Sequence, residues 1–511
     1  MVMSFKKACR LVQSRLRSRM QRVLPMVSLL ALTASQAEEA NPYYRIVTYA
    51  VPKGTNLEAS GLAVLPDGKL AVSLRKGEVW IIQNPQAEPA TVEKLGYKLF
   101  ASGMHEILGL AWHEGALYVT QRSEVTRLRD TDGDGSADEY QTVGQGWGVS
   151  GAYHEYAYGP VFDREGNMHN TLNCSMGKKW AGAGEEGVHP LWRGWSVITP
   201  KGSTQATGFS AGFRSPCGIG LNAEGDIFAT DQQGNWMPTN PLMHIRKGAY
   251  FSHADSLVDM KRADSPIPAP EGKQPDGITV AEAMKQVPHY TPPAIWFPYV
   301  KLGQSPTGLR CDETGGKFGP FEKQLFVGEF VLSGVNRVFL EKVGGEYQGA
   351  CFPFISGLQS AVLTLNFLQD GSMVVGQSNR GWNSYGNRPF GIQRLVPTGK
   401  PLLEVQKLES LKDGFRFTFT RPIKPANWTQ TKAQSYTYLF TAKYGSPEVE
   451  TQPLKLSGWQ LSKDGLNLTV KCANLRAGYV HEFELPEVNA KDGSPLWHRL
   501  SAYTLNRIPA E

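Results

Sequence analysis

The chain has 511 residues, which is long for one compact domain, and its composition is typical of folded globular protein. The formal net charge is +6, but seven basic residues and no acidic ones fall within residues 1–37. Without this segment the 53 basic residues become 46, against an unchanged 47 acidic ones, so the net charge is −1. This balance excludes a predominantly basic, nucleic-acid-binding surface.

Residues 1–37 have the pattern of a secretory signal peptide. The basic residues are followed by the apolar run VLPMVSLLALTA and then by Ser35-Gln36-Ala37, with small residues where a signal peptidase cuts. The apolar run is too short to span a membrane, and no later run approaches about 18 apolar residues. We therefore expect an exported protein, periplasmic or extracellular, whose mature chain has no membrane span.

A strand–turn–strand pattern recurs six times between residues 43 and 397. The copies begin at Gly61, Gly109, Gly159, Gly218, Thr307 and Leu363, with offsets of 48, 50, 59, 89 and 56 residues. Each interval has room for one four-stranded sheet, so the repeats predict a six-bladed β-propeller over residues 43–397. We expect the strand YYRIVTYAV (43–51) to complete the last blade and close the ring.

Two further regions interrupt or follow the repeats. The longest interval predicts an insertion at about 236–305, between blades four and five, with a short helix in TVAEAMKQV and Thr279 as its N-cap. After Gly399 the repeat stops, and alternating strands such as FRFTFTRPI and YVHEFELP predict an immunoglobulin-like β-sandwich over residues 400–511. We expect this second domain to supply no residue of the propeller's funnel.

Propeller geometry places two sets of loops at one mouth of the central funnel. The lead-in set precedes the innermost strands and contains Glu58, His105-Glu106, His154-Glu155, Arg214 and Gln304-Ser305. The exit set follows the second strands and contains Arg75, Gln121-Arg122, Asn173, Asp231-Gln232, Glu329 and Asn379-Arg380. Ionisable groups that converge from several blades indicate a binding or active site, although each alone also suits a rim residue or an inter-blade ion pair. We assign substrate binding to His105, Glu106, Arg122, Asp231, Gln232, Trp236, Asn379 and Arg380.

The heptapeptide YHEYAYG (153–159) directs His154 at the propeller axis. An imidazole is a suitable base for removing a hydroxyl proton, and a guanidinium such as that of Arg214 stabilises the charge that develops. Glu155 is expected to orient the imidazole. Alternatively, His105, His154, Glu106 and Glu155 hold a metal ion at the funnel centre.

Five cysteines follow residue 37, namely Cys174, Cys217, Cys311, Cys351 and Cys472. No CxxC or CxxCH motif occurs, which excludes the usual zinc knuckle and an attached c-type haem. Propeller positions allow two disulfides, Cys174–Cys217 between adjacent blades and Cys311–Cys351 within blade five. Cys472 would then be the odd thiol.

The segment DTDGDGSADEY (130–140) predicts a calcium loop on the face opposite the funnel. Oxygen ligands are spaced along it at Asp130, Asp132, Asp134, Ser136 and Asp138, and Gly135 permits the sharp turn. Gln141 stands where an EF-hand has its bidentate Glu, so we expect a structural cross-link in a hairpin instead. The alternative is a solvated acidic turn.

Four segments resemble the soluble glucose/sorbosone dehydrogenase superfamily, in its secreted branch that is often fused to a cytochrome c module. They are HEILGLAWHEGALYVT, YHEYAYGPVFDREGN, GFRSPCGIGLNAEGDIFATDQQGNW and SNRGWNSYGNRPFGIQRL. The resemblance covers roughly residues 43–397. It implies that His154 removes the sugar hydroxyl proton, that Arg214 polarises substrate and cofactor, and that Gln233-Gly234-Asn235 lie near a cofactor-linked calcium.

The resemblance also implies pyrroloquinoline quinone as the cofactor. In the family, a Lys of blade five and Arg side chains before the sixth inner strand hold the quinone, and the segments GEFVLSGVNRVF and GLQSAVLTLNF have neither at those places. The cytochrome module is missing too, so oxidation requires an external electron acceptor.

Three functions therefore remain open from the sequence. The favoured one is a sugar or polyol dehydrogenase-like oxidoreductase. The second is a metal-dependent sugar hydrolase or lactonase-like enzyme. The third is a non-catalytic carbohydrate-binding propeller, which 12 Trp and 19 Tyr residues also suit. In each case the expected partner is a small carbohydrate or polyol.

Overall fold

Antiparallel sheets of four strands account for the first part of the chain, as the repeats predict. The structure, a computed structural model, describes residues 41–152, 154–175 and 189–510. The predicted signal peptide at residues 1–37 lies outside these ranges. No helix among the described residues is long and apolar enough to cross a membrane.

The six blades follow the order of the repeats, and strand β1 (Tyr44–Thr48) belongs to the last of them. Blade one contains β2 (Ala59–Val64), β3 (Leu70–Leu74), β4 (Glu78–Ile82), a short helix (Val92–Leu95) and β5 (Tyr97–Ala101). Blade two contains β6 (Leu110–His113), β7 (Ala116–Thr120), β8 (Val125–Arg129) and β9 (Glu139–Gly144). Blade three contains β10 (Ala157–Phe162), β11 (Met168–Leu172), β12 (Trp195–Thr199) and β13 (Thr207–Ala211).

Blades four to six complete the ring. Blade four contains β14 (Gly218–Leu221), β15 (Ile227–Thr230), β16 (Asn240–Ile245) and, after an insertion with β17 (Ile278–Thr279), the outer strand β18 (Ile295–Phe297). Blade five contains β19 (Pro306–Cys311), β20 (Leu325–Glu329), β21 (Gly334–Val343) and β22 (Glu346–Ile355). Blade six contains β23 (Val362–Phe367), β24 (Met373–Ser378) and β25 (Phe390–Pro397), and β1 pairs with β25 to close the ring, which confirms that prediction.

The glycines that begin the repeats have a steric role where the inner strands converge. A Cβ atom on Gly109 would lie 1.9 Å from the carbonyl oxygen of Gly159, and one on Gly218 would lie 2.0 Å from that of Thr307. Neighbouring inner strands approach so closely only because these positions lack a side chain. The second strands, such as β3 and β7, are buried along their whole length between adjacent blades.

The insertion lies inside blade four, between β16 and β18, whereas the sequence placed it between blades four and five. It carries two short 3₁₀ turns (Ala254–Leu257 and Asp259–Lys261) and a helix (Val280–Gln286). Thr279 is the N-cap of this helix, as expected, and forms a reciprocal capping box with Glu282. The strand IWF of β18 is too short and too far along the chain to be assigned to blade four from sequence.

The C-terminal region is a β-sandwich that shares a sheet with the propeller. One sheet contains β26 (Val405–Leu411), β27 (Gly414–Phe419), β31 (Leu456–Leu461) and β32 (Asn467–Cys472). The other contains β28 (Lys432–Thr437), β30 (Val449–Pro453), β33 (Tyr479–Glu484) and β34 (Leu500–Leu505), while β29 (Leu439–Phe440) pairs with β17. β34 also pairs with β22, so blade five and the sandwich form one eight-stranded sheet.

The expected disulfides are not formed. No disulfide joins any two of Cys174, Cys217, Cys311, Cys351 and Cys472, and all but Cys217 are buried. Cys351 instead packs at the junction of blade five and the sandwich, where its Sγ contacts the carbonyl oxygens of Trp296 and Ala502. Cys311 lies in β19 and Cys351 in β22, so two strands of blade five separate them, which is too far for a disulfide.

Candidate functional site

A cavity of about 270 Å³ opens at the funnel mouth, where side chains from all six blades meet. Four of the residues predicted for the site line it: His154, Arg214, Gln232 and Arg380. Aromatic residues form much of the remaining wall, namely Tyr156, Tyr158, Tyr299, Trp382 and Tyr444. The volume lies near the lower end of the range usual for small-molecule sites.

His154 reaches this cavity from the loop before β10. Two side chains from outside the loop bind its backbone carbonyl oxygens. Asn173 Nδ2 donates to the carbonyl oxygen of His154 at 2.6 Å, and the Arg122 guanidinium donates to that of Ala152 at 2.6 Å. Burial is the main cause that lowers the pKa of His154, and the positive charges of Arg214 and Arg75 lower it further. The imidazole is therefore neutral at neutral pH, which is the form that accepts a proton.

Glu155 has a different role from the one expected of it. Its carboxylate accepts hydrogen bonds from the Ser150 backbone N–H at 2.6 Å and from the Ser150 hydroxyl at 2.8 Å. The side chain is buried, and these two hydrogen bonds tie Glu155 to Ser150. Glu155 thus shapes the segment that carries His154 and does not line the cavity.

Arg214 is the cation with the greatest freedom to meet a ligand. Its backbone N–H donates to Asp231 Oδ2 at 2.8 Å, which fixes the main chain, while its side chain extends along Gly234. The residues that the structure describes contain no carboxylate in a salt bridge with its guanidinium, which lies 5.5 Å from the ring centre of Tyr444. An unpaired guanidinium in a half-buried cavity is suited to a polar or negatively charged ligand atom.

The other cations at the mouth are already engaged. Arg75 donates to the Tyr156 hydroxyl at 2.5 Å and lies 3.6 Å from Glu106, which also contacts Arg122 at 3.7 Å. Arg380 forms an ion pair with Glu58 at 3.1 Å. These pairs couple blades one, two and six around the mouth. Glu106 and Arg122 therefore act as an inter-blade network rather than as lining residues.

Exit residues mostly bind the backbone of the lead-in loops. Asp231 accepts from the N–H groups of Arg214, Ser215 and Gln232, at 2.8, 2.6 and 2.6 Å. Glu329 does the same for Gln304 and Ser305 in blade five, at 3.2 and 2.7 Å. Burial raises the pKa of Asp231 to about 6 and that of Glu329 to about 7, against the opposing effect of these hydrogen bonds.

Blades two and six repeat this arrangement with amides. Gln121 Oε1 accepts from the His105 backbone N–H at 2.6 Å, and Asn379 Oδ1 accepts from that of Ala361 at 3.0 Å. Asn379 Nδ2 also donates to the carbonyl oxygen of Arg388 at 3.0 Å. Asn379 is therefore a structural residue, although its neighbour Arg380 lines the cavity.

Two other predicted residues lie away from the cavity. The His105 side chain is exposed. Trp236 is engaged by the insertion, where its Nε1–H donates to the carbonyl oxygen of Pro275 at 2.7 Å. Tyr299, Trp382 and Tyr444 were not predicted. Trp382 lies next to Arg380, in a segment that the sequence already placed at the funnel. No signal in the sequence connects Tyr444, which belongs to the sandwich, with this site.

The acidic loop of blade two lies between β8 and β9, on the face opposite the cavity. Ligand atoms of Asp130, Asp132 and Asp138 fall within 4.8 Å of one another, and this is the one such group of acidic, His or Cys side chains in the described ranges. Backbone N–H groups of the loop also donate to these carboxylates, for example Gly133 to Asp130 Oδ1 at 2.7 Å. The carboxylate of Asp134 is not part of this group. Ligand atoms of His105, His154, Glu106 and Glu155 form no comparable group in the part of the chain that the structure describes.

The cavity fits a planar polycarboxylate such as pyrroloquinoline quinone on one side only. Arg214 and Arg380 offer guanidinium groups, and Tyr444 and Trp382 offer aromatic walls. The loop after β20 and strand β23 line the cavity with the apolar residues Phe330, Val331 and Leu363. Arg337 of blade five is buried away from the funnel and donates to the carbonyl oxygens of Val405 and Gln406. A quinone would therefore be held by Arg214 and Arg380.

Known protein families and curated proteins do not assign an activity to this chain. A family described as a domain of unknown function (DUF7133) matches residues 96–349. No curated protein matches this chain.

Several solved structures are similar to this chain. One is a putative oxidoreductase (glucose dehydrogenase) from Thermus thermophilus, with 18% identity, a TM-score of 0.48, and 69% of this chain and 100% of that chain covered. Another is the PQQ-bound aldose sugar dehydrogenase from Streptomyces coelicolor, with 17% identity and a TM-score of 0.46. This match covers 70% of this chain and 99% of that chain. A third is the PQQ domain of pyranose dehydrogenase from Coprinopsis cinerea, with 12% identity and a TM-score of 0.45. This match covers 70% of this chain and 96% of that chain.

Proposed function

We propose that this protein oxidises a hydroxyl group of a small sugar or polyol in the funnel cavity. The observation that carries the proposal is that one cavity holds a neutral imidazole, that of His154, and the guanidinium of Arg214, which forms no salt bridge with any described residue. Aromatic walls such as Tyr444 and Trp382 suit the apolar faces of a sugar ring.

In this proposal His154 accepts the hydroxyl proton while the carbon loses a hydride to an electron acceptor. The lowered pKa of His154 keeps the imidazole neutral but also weakens it as a base. Arg214 compensates because its positive charge stabilises the negative charge that develops on the substrate oxygen. A bound quinone would supply the hydride acceptor, and electrons would then pass to an external partner.

The test is oxidation of a panel of aldoses and polyols with an artificial dye as acceptor, with and without added pyrroloquinoline quinone. Arg214→Lys should raise KM and lower kcat together, because a planar, multidentate donor becomes a single point charge. Arg262→Lys, at an exposed arginine paired with Asp264, is the matched control and should behave like the parent. A parent that binds sugars but oxidises none, with or without quinone, would identify the carbohydrate-binding alternative as correct.

The hydrolase alternative has less support. It requires a metal ion at the funnel, whereas the carboxylates of Glu155 and Glu106 are engaged by Ser150 and by Arg75 and Arg122. Hydrolysis of sugar lactones by the purified protein, lost on treatment with a chelator, would restore this alternative.

We also propose that the acidic loop of blade two binds calcium as a structural cross-link. The clustered oxygens of Asp130, Asp132 and Asp138 support it. Asp132→Ala combined with Asp138→Ala should lower the unfolding temperature in calcium and remove the effect of a chelator, while ligand affinity at the funnel stays unchanged. Asp264→Ala, at another exposed aspartate, is the control. Equal melting of parent and double variant in calcium and in chelator would mean that the loop is only an acidic turn.

Export is the third part of the proposal, and it rests on the signal-like pattern of residues 1–37. The test is the N-terminal sequence of the protein recovered from the native host. A mature chain that begins after Ala37 is expected, and an intact N-terminus in the cytoplasmic fraction would contradict it.

A further inference from the structure

The C-terminal sandwich contributes a side chain to the funnel cavity. Tyr444 lies in the loop between β29 and β30, lines the cavity and is 51% exposed at its mouth. Its ring centre is 5.5 Å from the guanidinium carbon of Arg214. This distance and arrangement are those of a cation–π contact, in which the electron-rich face of the ring attracts a positive charge.

The loop that carries Tyr444 is attached to blade four by main-chain hydrogen bonds. The Trp236 N–H donates to the Thr441 carbonyl oxygen at 2.6 Å, and the Gly445 N–H donates to that of Gly234 at 3.1 Å. Gly445 has a φ of 68°, a conformation that favours glycine, and a Cβ there would lie 2.9 Å from Gln233 Oε1. The position of the ring is therefore defined by the backbone on both sides of it.

The insertion of blade four fixes the same loop from another direction. The Ala442 N–H donates to Asp276 Oδ1 at 2.8 Å, and β29 pairs with β17 just before the loop begins. At the far end, Lys301 forms salt bridges with Glu448 and Glu482 at 2.9 and 2.8 Å. The loop thus joins the propeller, the insertion and the sandwich next to the cavity.

We propose that Tyr444 is a positioning residue, which holds the Arg214 guanidinium towards the cavity and makes the sandwich a wall of the ligand site. Arg214 has no carboxylate partner among the described residues. Its aliphatic stem packs against Gly234, and the Tyr444 ring restricts the rotamers of its guanidinium end. A carboxylate at this place would neutralise the guanidinium. A ring restrains it and leaves its charge available to the ligand.

This inference depends on the proposed function only where it predicts a change in KM. The position of Arg214 is measured without a substrate, in the full-length chain, because β34 and β22 share a sheet and removal of residues 400–511 would test folding instead. The variants are Tyr444→Ala and Tyr444→Phe. Tyr479→Ala is the matched control, since Tyr479 makes a similar contact with Arg476 at 3.9 Å elsewhere in the sandwich.

The first readout is the titration of His154, followed by NMR of histidine-labelled protein and assigned with His154→Gln. The charge of Arg214 is one cause of the lowered pKa of His154, so Tyr444→Ala should raise this pKa towards its ordinary value. The second readout is the rate at which phenylglyoxal modifies Arg214, measured by mass spectrometry, which should increase in the same variant. Tyr444→Phe and Tyr479→Ala should match the parent in both, because the ring and not the hydroxyl makes the contact.

If the proposed oxidation is found, Tyr444→Ala should raise KM by roughly 3- to 30-fold, the range that a cation–π contact is worth, and Tyr444→Phe should restore it. The inference is overturned if Tyr444→Ala leaves both readouts unchanged, if Tyr444→Phe is as altered as Tyr444→Ala, or if Tyr479→Ala causes the same changes. Absence of turnover in the parent would count against the proposed function, and the two substrate-free readouts would still decide the role of Tyr444.

Discussion

Lead-in residues and exit residues surround the same funnel mouth, yet the structure uses them differently. His154 and Arg214, which precede inner strands, present side chains to the cavity. Asp231 and Glu329, which follow second strands, are buried and bind the backbone N–H groups of the lead-in loops. Asp231 and Glu329 thus hold the lead-in loops in place, while two other exit residues, Gln232 and Arg380, line the cavity together with the lead-in residues.

The comparison also explains where charge is available. The exit carboxylates are enclosed, and burial raises the pKa of both Asp231 and Glu329. The lead-in groups are half-buried and include a neutral imidazole and an unpaired guanidinium. The cavity is therefore positive at neutral pH although acidic residues are abundant around it, which favours a ligand that carries or develops negative charge.

The largest expected effect concerns a lead-in residue. His154→Gln should lower turnover by roughly 10²–10⁴-fold, the usual contribution of a positioned base, while the unfolding temperature changes little. The measurement is steady-state oxidation of the best sugar found in the panel, together with thermal unfolding. His105→Gln is the control, because His105 lies one blade away with an exposed side chain. A stable His154→Gln protein with full activity would contradict the assignment of His154 as the base.

An intermediate effect is expected for an exit residue. Asp231→Ala removes the acceptor of three backbone N–H groups. The variant should lower the free energy of unfolding by about 1–3 kcal/mol, because buried donors lose their hydrogen-bond partner. Thermal and urea unfolding measure this loss, with the exposed Asp264→Ala as the control. If Asp231→Ala instead melts like the parent and fails to bind sugar, Asp231 is a ligand-binding residue and the two sets do not differ in role.

The propeller could be predicted from sequence because its repeat is local. Each blade is a strand–turn–strand unit with a glycine at its start, and the steric need for Gly109 and Gly218 is visible in the pattern itself. The ring positions of both residue sets follow from the same repeat. The outer strand β18 escaped prediction because about 50 residues of insertion separate it from β16, and local patterns give no information on such distant pairing.

Side-chain direction and contacts between domains could not be predicted. His154 and Glu155 are adjacent in sequence, and only the hydrogen bonds to Ser150 reveal that Glu155 turns into its own loop. Cys311 and Cys351 belong to the same blade but lie in its first and fourth strands, which do not pair with each other. Tyr444 is more than 200 residues from Arg214 in the chain, and their contact depends on the sheet shared by blade five and the sandwich.

The smallest expected effect is a change in how stability depends on pH. The pKa of Glu329 is raised to about 7 by burial, well above the ordinary value for a glutamate of about 4.3. The folded protein therefore binds this proton more tightly than the unfolded chain does. Its contribution to stability is fully present below about pH 4 and is lost as the pH rises through about 7.

Glu329→Gln removes this titration while keeping an oxygen that can accept from the Ser305 N–H. The free energy of unfolding of the variant, relative to that of the parent, should therefore increase as the pH rises from about 5 to 8. Because both proteins contain the same histidines, this difference reports only the Glu329 carboxyl. Glu322→Gln, at an exposed glutamate of the same blade, is the control and should parallel the parent. A difference between Glu329→Gln and the parent that does not vary with pH would mean that the Glu329 carboxyl keeps its ordinary pKa, and the buried exit residues would then carry full negative charge at the mouth.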